Sequence, residues 1–250
     1  MAPLIDQDRS VRFPLPDLII RGIDTKLQAP VYLDGALVAP SAASVSVYDD
    51  SDSLIVENAS GTITGNIAEY TVTAATTTGK TLADGWRVEW TLTISGETVR
   101  AVNEAALCRQ VVYPMIADQD LYRRTPSLDP SSASCISSLS SYQFAIDEAH
   151  NEISLRLLSA GRRPWLILSP ASLRPCYLFL SLAIVFEDLA SRLANVDYQD
   201  KADGYRKQFD QHWGRLSFSY DADEDGQADL NGDGDPLRAG MGNIFLTSRY

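Results

Sequence analysis

The hydrophobic period of this chain changes once, and that change limits what it can fold into. From about Asp17 to Gln110 apolar side chains alternate with polar ones, whereas from Leu139 onward they recur at steps of three and four. Period two marks strands with one buried face, and the three-to-four step marks amphipathic helices. The chain therefore reads as an α+β protein of two domains, strands first and helices second.

The clearest strand is 86–94, where Trp86, Val88, Trp90, Leu92 and Ile94 share one face, with turns expected at Asp84-Gly85 before it and Ser95-Gly96 after it. Further strands are expected at 18–21, 30–33, 44–48, 54–57, 67–73 and 99–103, with turns at Asp34-Gly35 and 49–52. Many short strands with regular turn signals predict an immunoglobulin-like antiparallel β-sandwich over residues 1–110. The cysteine pair of antibody domains is missing, so the likeness is one of architecture. The three cysteines, Cys108, Cys135 and Cys176, lie far apart and read as buried thiols in a reducing compartment.

Prolines 114, 126 and 130 and the absence of a sustained period make 111–130 an expected linker. Residues 131–250 then read as a helical domain. A first helix carries Leu139, Tyr142, Ile146, Ala149, Ile153 and Leu157 on one stripe and stops at Gly161. A second starts near Pro170 or Pro175, runs to about Leu193 and has no wet face, which places it centrally. A third, from about Asp200, aligns Ala202, Tyr205, Phe209, Trp213 and Leu216. A short strand at 216–220, an acidic loop and a Gly-rich tail with an apolar end follow; the tail reads as an added strand or an arm that orders on a neighbour.

Charge narrows the function classes. The formal net charge is −12, which argues against gripping nucleic acid, since phosphate binding needs clustered Lys and Arg. The excess is uneven: residues 109–250 carry 14 basic and 19 acidic side chains, but seven of those acids lie between Asp221 and Asp235. The longest apolar run, 176–186, is about half the ~20 residues that a membrane span requires, so no membrane is expected. The first residues lack a basic region followed by an apolar core, so no secretory signal is expected.

The run from Asp221 to Asp235 places oxygen ligands at every second position around glycine turns. In the EF-hand pattern, carboxylates stand at positions 1, 3 and 5, glycine at 6 and a bidentate Glu at 12. Asp221, Asp223, Asp225 and Gly226 fill one register, with a Gln227 carbonyl and Asp229 at position 9; Asp229, Asn231, Asp233 and Gly234 fill a second. Position 12 of the first register is Gly232, so a calcium loop here would be weak, roughly submillimolar to millimolar. Two readings stand side by side: a weak calcium site with Asp221, Asp223, Asp225, Asp229, Asn231 and Asp233 as candidate ligands, or a solvated acidic loop.

Other motifs read as structural. Gly79-Lys80-Thr81 would need a glycine five positions before Gly79 to make a phosphate loop, and Ala74 stands there. His150 and His212 fall on expected helices beside the apolar stripe. No G-x-S-x-G elbow and no H-E-x-x-H is present, so no enzyme is expected. The pairs Arg123-Arg124 and Arg162-Arg163 read as solvated, or as partners for the acidic loop of a neighbouring copy.

The segment 113–122, the helix at 145–153 ending at Gly161, the apolar helix through Leu180 to Leu189, Tyr205 to Phe209 and the strand 216–220 leading into the Asp-Gly loop together resemble the head-to-tail connector, or adaptor, proteins of tailed bacteriophages. The β-rich first half departs from the smallest connectors and looks like an added immunoglobulin-like decoration. The resemblance implies a structural virion protein of the phage neck: a homo-oligomeric ring, dodecameric in the family, that docks on the portal protein ring, joins the DNA-filled head to the tail and extends the DNA channel. Its implied partners are the portal, a neck or tail-completion protein and its own copies. DNA would pass without specific binding, and no cofactor is required, calcium being the one option already named. The place of action would be the virion neck, after assembly in the host cytoplasm. The alternative is a calcium-dependent adhesion or carbohydrate-binding module, favoured by the sandwich and the loop and opposed by the missing signal. A hydrolase stands third.

Overall fold

The computed structural model describes residues 9–230 and the backbone of 238–240. The chain forms two compact units, Met1–Val111 and Val112–Tyr250.

The first unit is built of strands β1 (Arg9–Val11), β2 (Asp17–Ile20), β3 (Thr25–Leu33), β4 (Ala36–Leu37), β5 (Ala42–Tyr48), β6 (Leu54–Ser60), β7 (Thr62–Thr64), β8 (Ile67–Val72), β9 (Ala83–Ile94) and β10 (Glu97–Cys108), with a helical turn α1 (Ala74–Thr77) between β8 and β9. One sheet has the order β1-β3-β8-β7, with β4 on β3, and the other β2-β10-β9-β5-β6. In the lettering of immunoglobulin domains β1, β3, β8 and β7 take the places of A, B, E and D, and β10, β9, β5 and β6 those of G, F, C and C′. Between the sheets lie Leu27, Ala29, Val31, Ala68 and Val72 from one and Ile19, Val45, Val47, Trp86, Val88, Trp90, Leu92, Ile94, Ala105 and Leu107 from the other. The alternation expected for 86–94 is therefore the inner face of β9.

Two local features differ from the sequence expectation. The pair β2–β10 is parallel, Asp17 opposite Ala105 through Ile20 opposite Cys108, so this sheet is mixed. Asp84-Gly85 lies inside β9 and makes no turn: the register with β10 passes from Ala105 opposite Trp86 to Ala106 opposite Asp84, skipping Gly85. Gly85 has φ +82°, the left-handed backbone of a bulge residue. Gly79-Lys80-Thr81 follows α1, and Lys80 lies 3.8 Å from Asp49, a turn contact with no phosphate-loop geometry.

In the second unit the expected linker contains a packed helix, α2 (Asp118–Arg124), followed by α3 (Gln143–Ser159), α4 (Arg174–Leu193) and α5 (Val196–Gly214). Within 111–130 the side chains of Leu121 and Leu128 are wholly buried, because α2 closes one side of α4. Asp120 makes the α2 start: its carboxylate accepts from the Ala117 N–H (3.0 Å). The first long helix begins at Gln143, so Leu139 lies before it. It ends where expected, on Gly161 (φ +69°), with the Arg162 N–H donating to the Leu157 carbonyl (2.8 Å).

Helix α4 is buried nearly all round, from Cys176 to Leu189, and packs against α2, α3 and α5. Arg206 of α5 forks onto Glu187 of α4 (2.9 Å) and Glu152 of α3 (3.2 Å), tying three helices at their wet edge. No helix among the described residues is long and apolar enough to cross a membrane. After α5, β11 (Ser217–Ser219) pairs antiparallel with β12 (Arg238–Gly240), and the acidic loop lies between them. The apolar end of the tail lies outside the described residues.

Candidate metal centre

The loop is built outward from an anchored base. Residues 166–168 run beside 219–221: the Leu168 N–H donates to the Ser219 carbonyl (2.9 Å) and the Asp221 N–H to the Leu166 carbonyl (3.0 Å). The Tyr220 hydroxyl accepts from the Arg163 N–H (2.9 Å), and the Arg162 guanidinium lies 5.8 Å from the Tyr220 ring centre. The preceding short 3-10 turn, Pro164–Leu166, buries Trp165 and Leu166 and holds this edge in place.

From that base the chain turns through its own carboxylates. The Gly226 N–H donates to Asp221 Oδ2 (2.9 Å), the Asp225 N–H to Asp223 Oδ1 (3.3 Å) and the Gln227 N–H to Asp225 Oδ1 (2.6 Å). Glu224 (φ +59°) and Gly226 (φ +92°) take the left-handed backbone that makes the bend. Asp221, Asp223 and Asp225 each offer a carboxylate oxygen within 4.8 Å of the others. Three of the six candidate ligands are thus together.

Asp229 is used otherwise. Its Oδ2 accepts from the Ala222 N–H (2.9 Å) and its own N–H donates to the Tyr220 carbonyl (3.0 Å), so it closes the neck of the loop. Asn231 and Asp233 lie outside the described residues.

The three clustered carboxylates are unequal. Asp223 and Asp225 are exposed, whereas Asp221 is only 4% exposed. Its Oδ1 is buried with no hydrogen-bond donor, while Oδ2 is held by Gly226. Burial raises the carboxyl pKa above its ordinary value, the Gly226 and Asp225 N–H groups work against that, and the side chains of Asp223 and Asp225 add to the rise. Sequence spacing names the ligands but not this burial, which comes from the 166–168 edge. The apolar run 165–168 was the available signal.

The remaining candidates are structural. His150 Nδ1 lies 3.0 Å from the Tyr177 hydroxyl, and burial lowers its pKa. His212 stacks on Phe179 at 5.1 Å. Arg124 lies over Phe179, 5.5 Å from the ring centre. On the outer face of the sandwich, Ser44, Ser46, Tyr48, Leu54, Glu57, Asn58, Glu89, Thr91 and Arg100 line an open polar groove of about 360 Å³.

Compared with protein-family models, with curated proteins and with solved structures, the chain finds no match.

Proposed function

We propose that this chain is a structural neck protein of a tailed bacteriophage, forming a ring that docks on the portal and joins the DNA-filled head to the tail. The observation that carries the reading is the single helical unit in which α2 to α5, β11 and the acidic loop follow one another in the order the connector resemblance requires. Ring formation asks for apolar surface that one copy leaves uncovered. Phe144 (45% exposed) and Leu155 (46%) lie three turns apart on one face of α3, and Leu193 and Val196 stand out at the α4–α5 corner. The role requires binding surfaces and no catalysis. An acidic chain in such a ring would let DNA pass without gripping it. The place of action is the virion neck, reached from the host cytoplasm, and the further partner is a neck or tail-completion protein.

The adhesion or carbohydrate-binding alternative would use the groove on the sandwich. Its aromatic ring, Tyr48, has the Arg87 guanidinium over one face at 4.4 Å, so that face is not free for a sugar to stack on. The connector reading is therefore preferred. Electron microscopy of the chain mixed with portal rings from the same phage tests it: rings carrying a second tier are expected. Leu155→Glu, on an exposed position, should abolish the tier while leaving the helix content unchanged. Persistent failure of the native chain to associate overturns the proposal.

A further inference from the structure

We infer that Asp221, Asp223 and Asp225 form a binding site for a single calcium ion, anchored on the buried Oδ1 of Asp221. The inference is independent of ring formation. Two observations carry it.

The first is the geometry. Oxygens on opposite sides of a bound ion stand no farther apart than twice the metal–oxygen distance, about 4.6–5.2 Å for calcium and about 4.0–4.2 Å for magnesium. The three carboxylates already lie within 4.8 Å of one another, inside the calcium limit. Calcium also accepts irregular cages and completes them with water and carbonyl oxygens, whereas magnesium keeps a tight octahedron.

The second is the unmatched oxygen. Asp221 is almost wholly buried, its Oδ2 takes the Gly226 N–H, and its Oδ1 has no donor. A buried carboxylate oxygen without a partner is unfavourable by a few kcal/mol. The neighbouring donors of the loop serve other oxygens: Ala222 N–H to Asp229, Gln227 N–H to Asp225, and Asp225 N–H shared between Asp223 and the Asp221 carboxylate. The Asp221 carboxylate stands instead beside two further carboxylates, each with an oxygen within 4.8 Å of one of its own, and they repel it unless a cation lies between them. The arrangement supplies ligands and leaves the buried Oδ1 without a donor, as a metal site does.

Bound calcium would join the tip of the loop, at Asp223 and Asp225, to its base, where Asp221 is fixed by the Leu166 carbonyl. With Gly232 in place of a bidentate Glu, the site is weak, with Kd roughly 0.1–1 mM.

The test uses the full chain stripped of metal with a chelator. Titration with calcium chloride followed by calorimetry should give one saturable site, and amide exchange at Ala222, Gly226 and Asp229 should slow on the order of tenfold at about ten times Kd. Asp223→Ala and Asp225→Ala alter exposed side chains, so the fold is retained, and each should weaken binding at least about tenfold, the effect expected when a charged ligand is lost. No calcium binding up to about 10 mM, or binding undiminished in the double variant, overturns the site. Magnesium binding as tightly as calcium overturns the choice of ion.

Discussion

Trp90 and Phe186 are both wholly buried, yet they are held by different arrangements. Trp90 is one of five inward side chains on β9, a strand flanked on both sides by β5 and β10, so its core is shared among strands distant in sequence. Phe186 lies on α4, which is buried nearly all round and which α2, α3 and α5 all pack against, so its core hangs about one central helix. Polar atoms follow the same division. Neither Trp86 nor Trp90 finds an acceptor for its indole N–H, whereas in the helical unit the Tyr142 hydroxyl donates to the Leu128 carbonyl (3.2 Å) and the Tyr177 hydroxyl meets His150. The sandwich leaves its two core indoles without acceptors, whereas the helical unit hydrogen-bonds the hydroxyls of its two buried core tyrosines.

The largest effects should come from emptying either core. Trp90→Ala and Phe186→Ala each remove a large buried ring and should cost about 3–5 kcal/mol. Segment-resolved amide exchange on the full chain should show faster exchange in β5, β9 and β10 for the first and in α3, α4 and α5 for the second. If either variant loosened both sets of amides equally, the contrast between a shared core and a hung one would fail.

A buried carboxylate provides the next test, in the sandwich alone. Asp17, at the start of β2, has its pKa raised from 3.8 to about 6, mainly by burial, with the Asn103 side chain opposing. Its Oδ2 has no donor. A carboxyl whose folded pKa lies above its unfolded one favours folding at low pH, and that contribution is lost as pH rises from about 4 through about 6. The loss is on the order of 3 kcal/mol across the window. Asp17→Asn should flatten this slope and stabilise the sandwich at neutral pH. Denaturant titrations at several pH values, read at β9 and β10, check both points; a native slope that the variant leaves unchanged would remove Asp17 from the account.

Much of this contrast was legible in the sequence, because the period of apolar residues reports which faces are buried. The inner face of β9 and the stripe of α3 are direct readings of that kind. Strand β7 was not legible: Thr62, Ile63 and Thr64 are all exposed, so no alternation marks them. Helix α2 was hidden by its length of seven residues between prolines. The parallel pairing of β2 was hidden because a period says which face is buried and nothing of the partner's direction. In the loop, spacing named the clustered carboxylates, but Asp221 owes its burial to 166–168, which sequence distance conceals.

The smallest expected effects lie at the corners. Between β9 and β10 the chain turns through Ser95 (φ +52°) and Gly96 (φ +82°), a two-residue turn with glycine where the left-handed backbone is most demanding. Between α4 and α5 it turns through Ala194, which takes φ +48° with a side chain present, and Asn195, whose carboxamide oxygen accepts from the Asp197 N–H (2.9 Å). The helical corner thus lacks the glycine and relies on the cap. Ala194→Gly should stabilise the helical unit by about 1 kcal/mol by relieving the left-handed strain. Asn195→Ala should cost about 1 kcal/mol by leaving the α5 N-terminus uncapped. The two substitutions act on adjacent residues through different terms, backbone strain and an orphan N–H, and a double-mutant cycle in urea should show them nearly additive. A strong coupling would mean that the Asn195 cap depends on the strained turn before it, so that the corner behaves as one device.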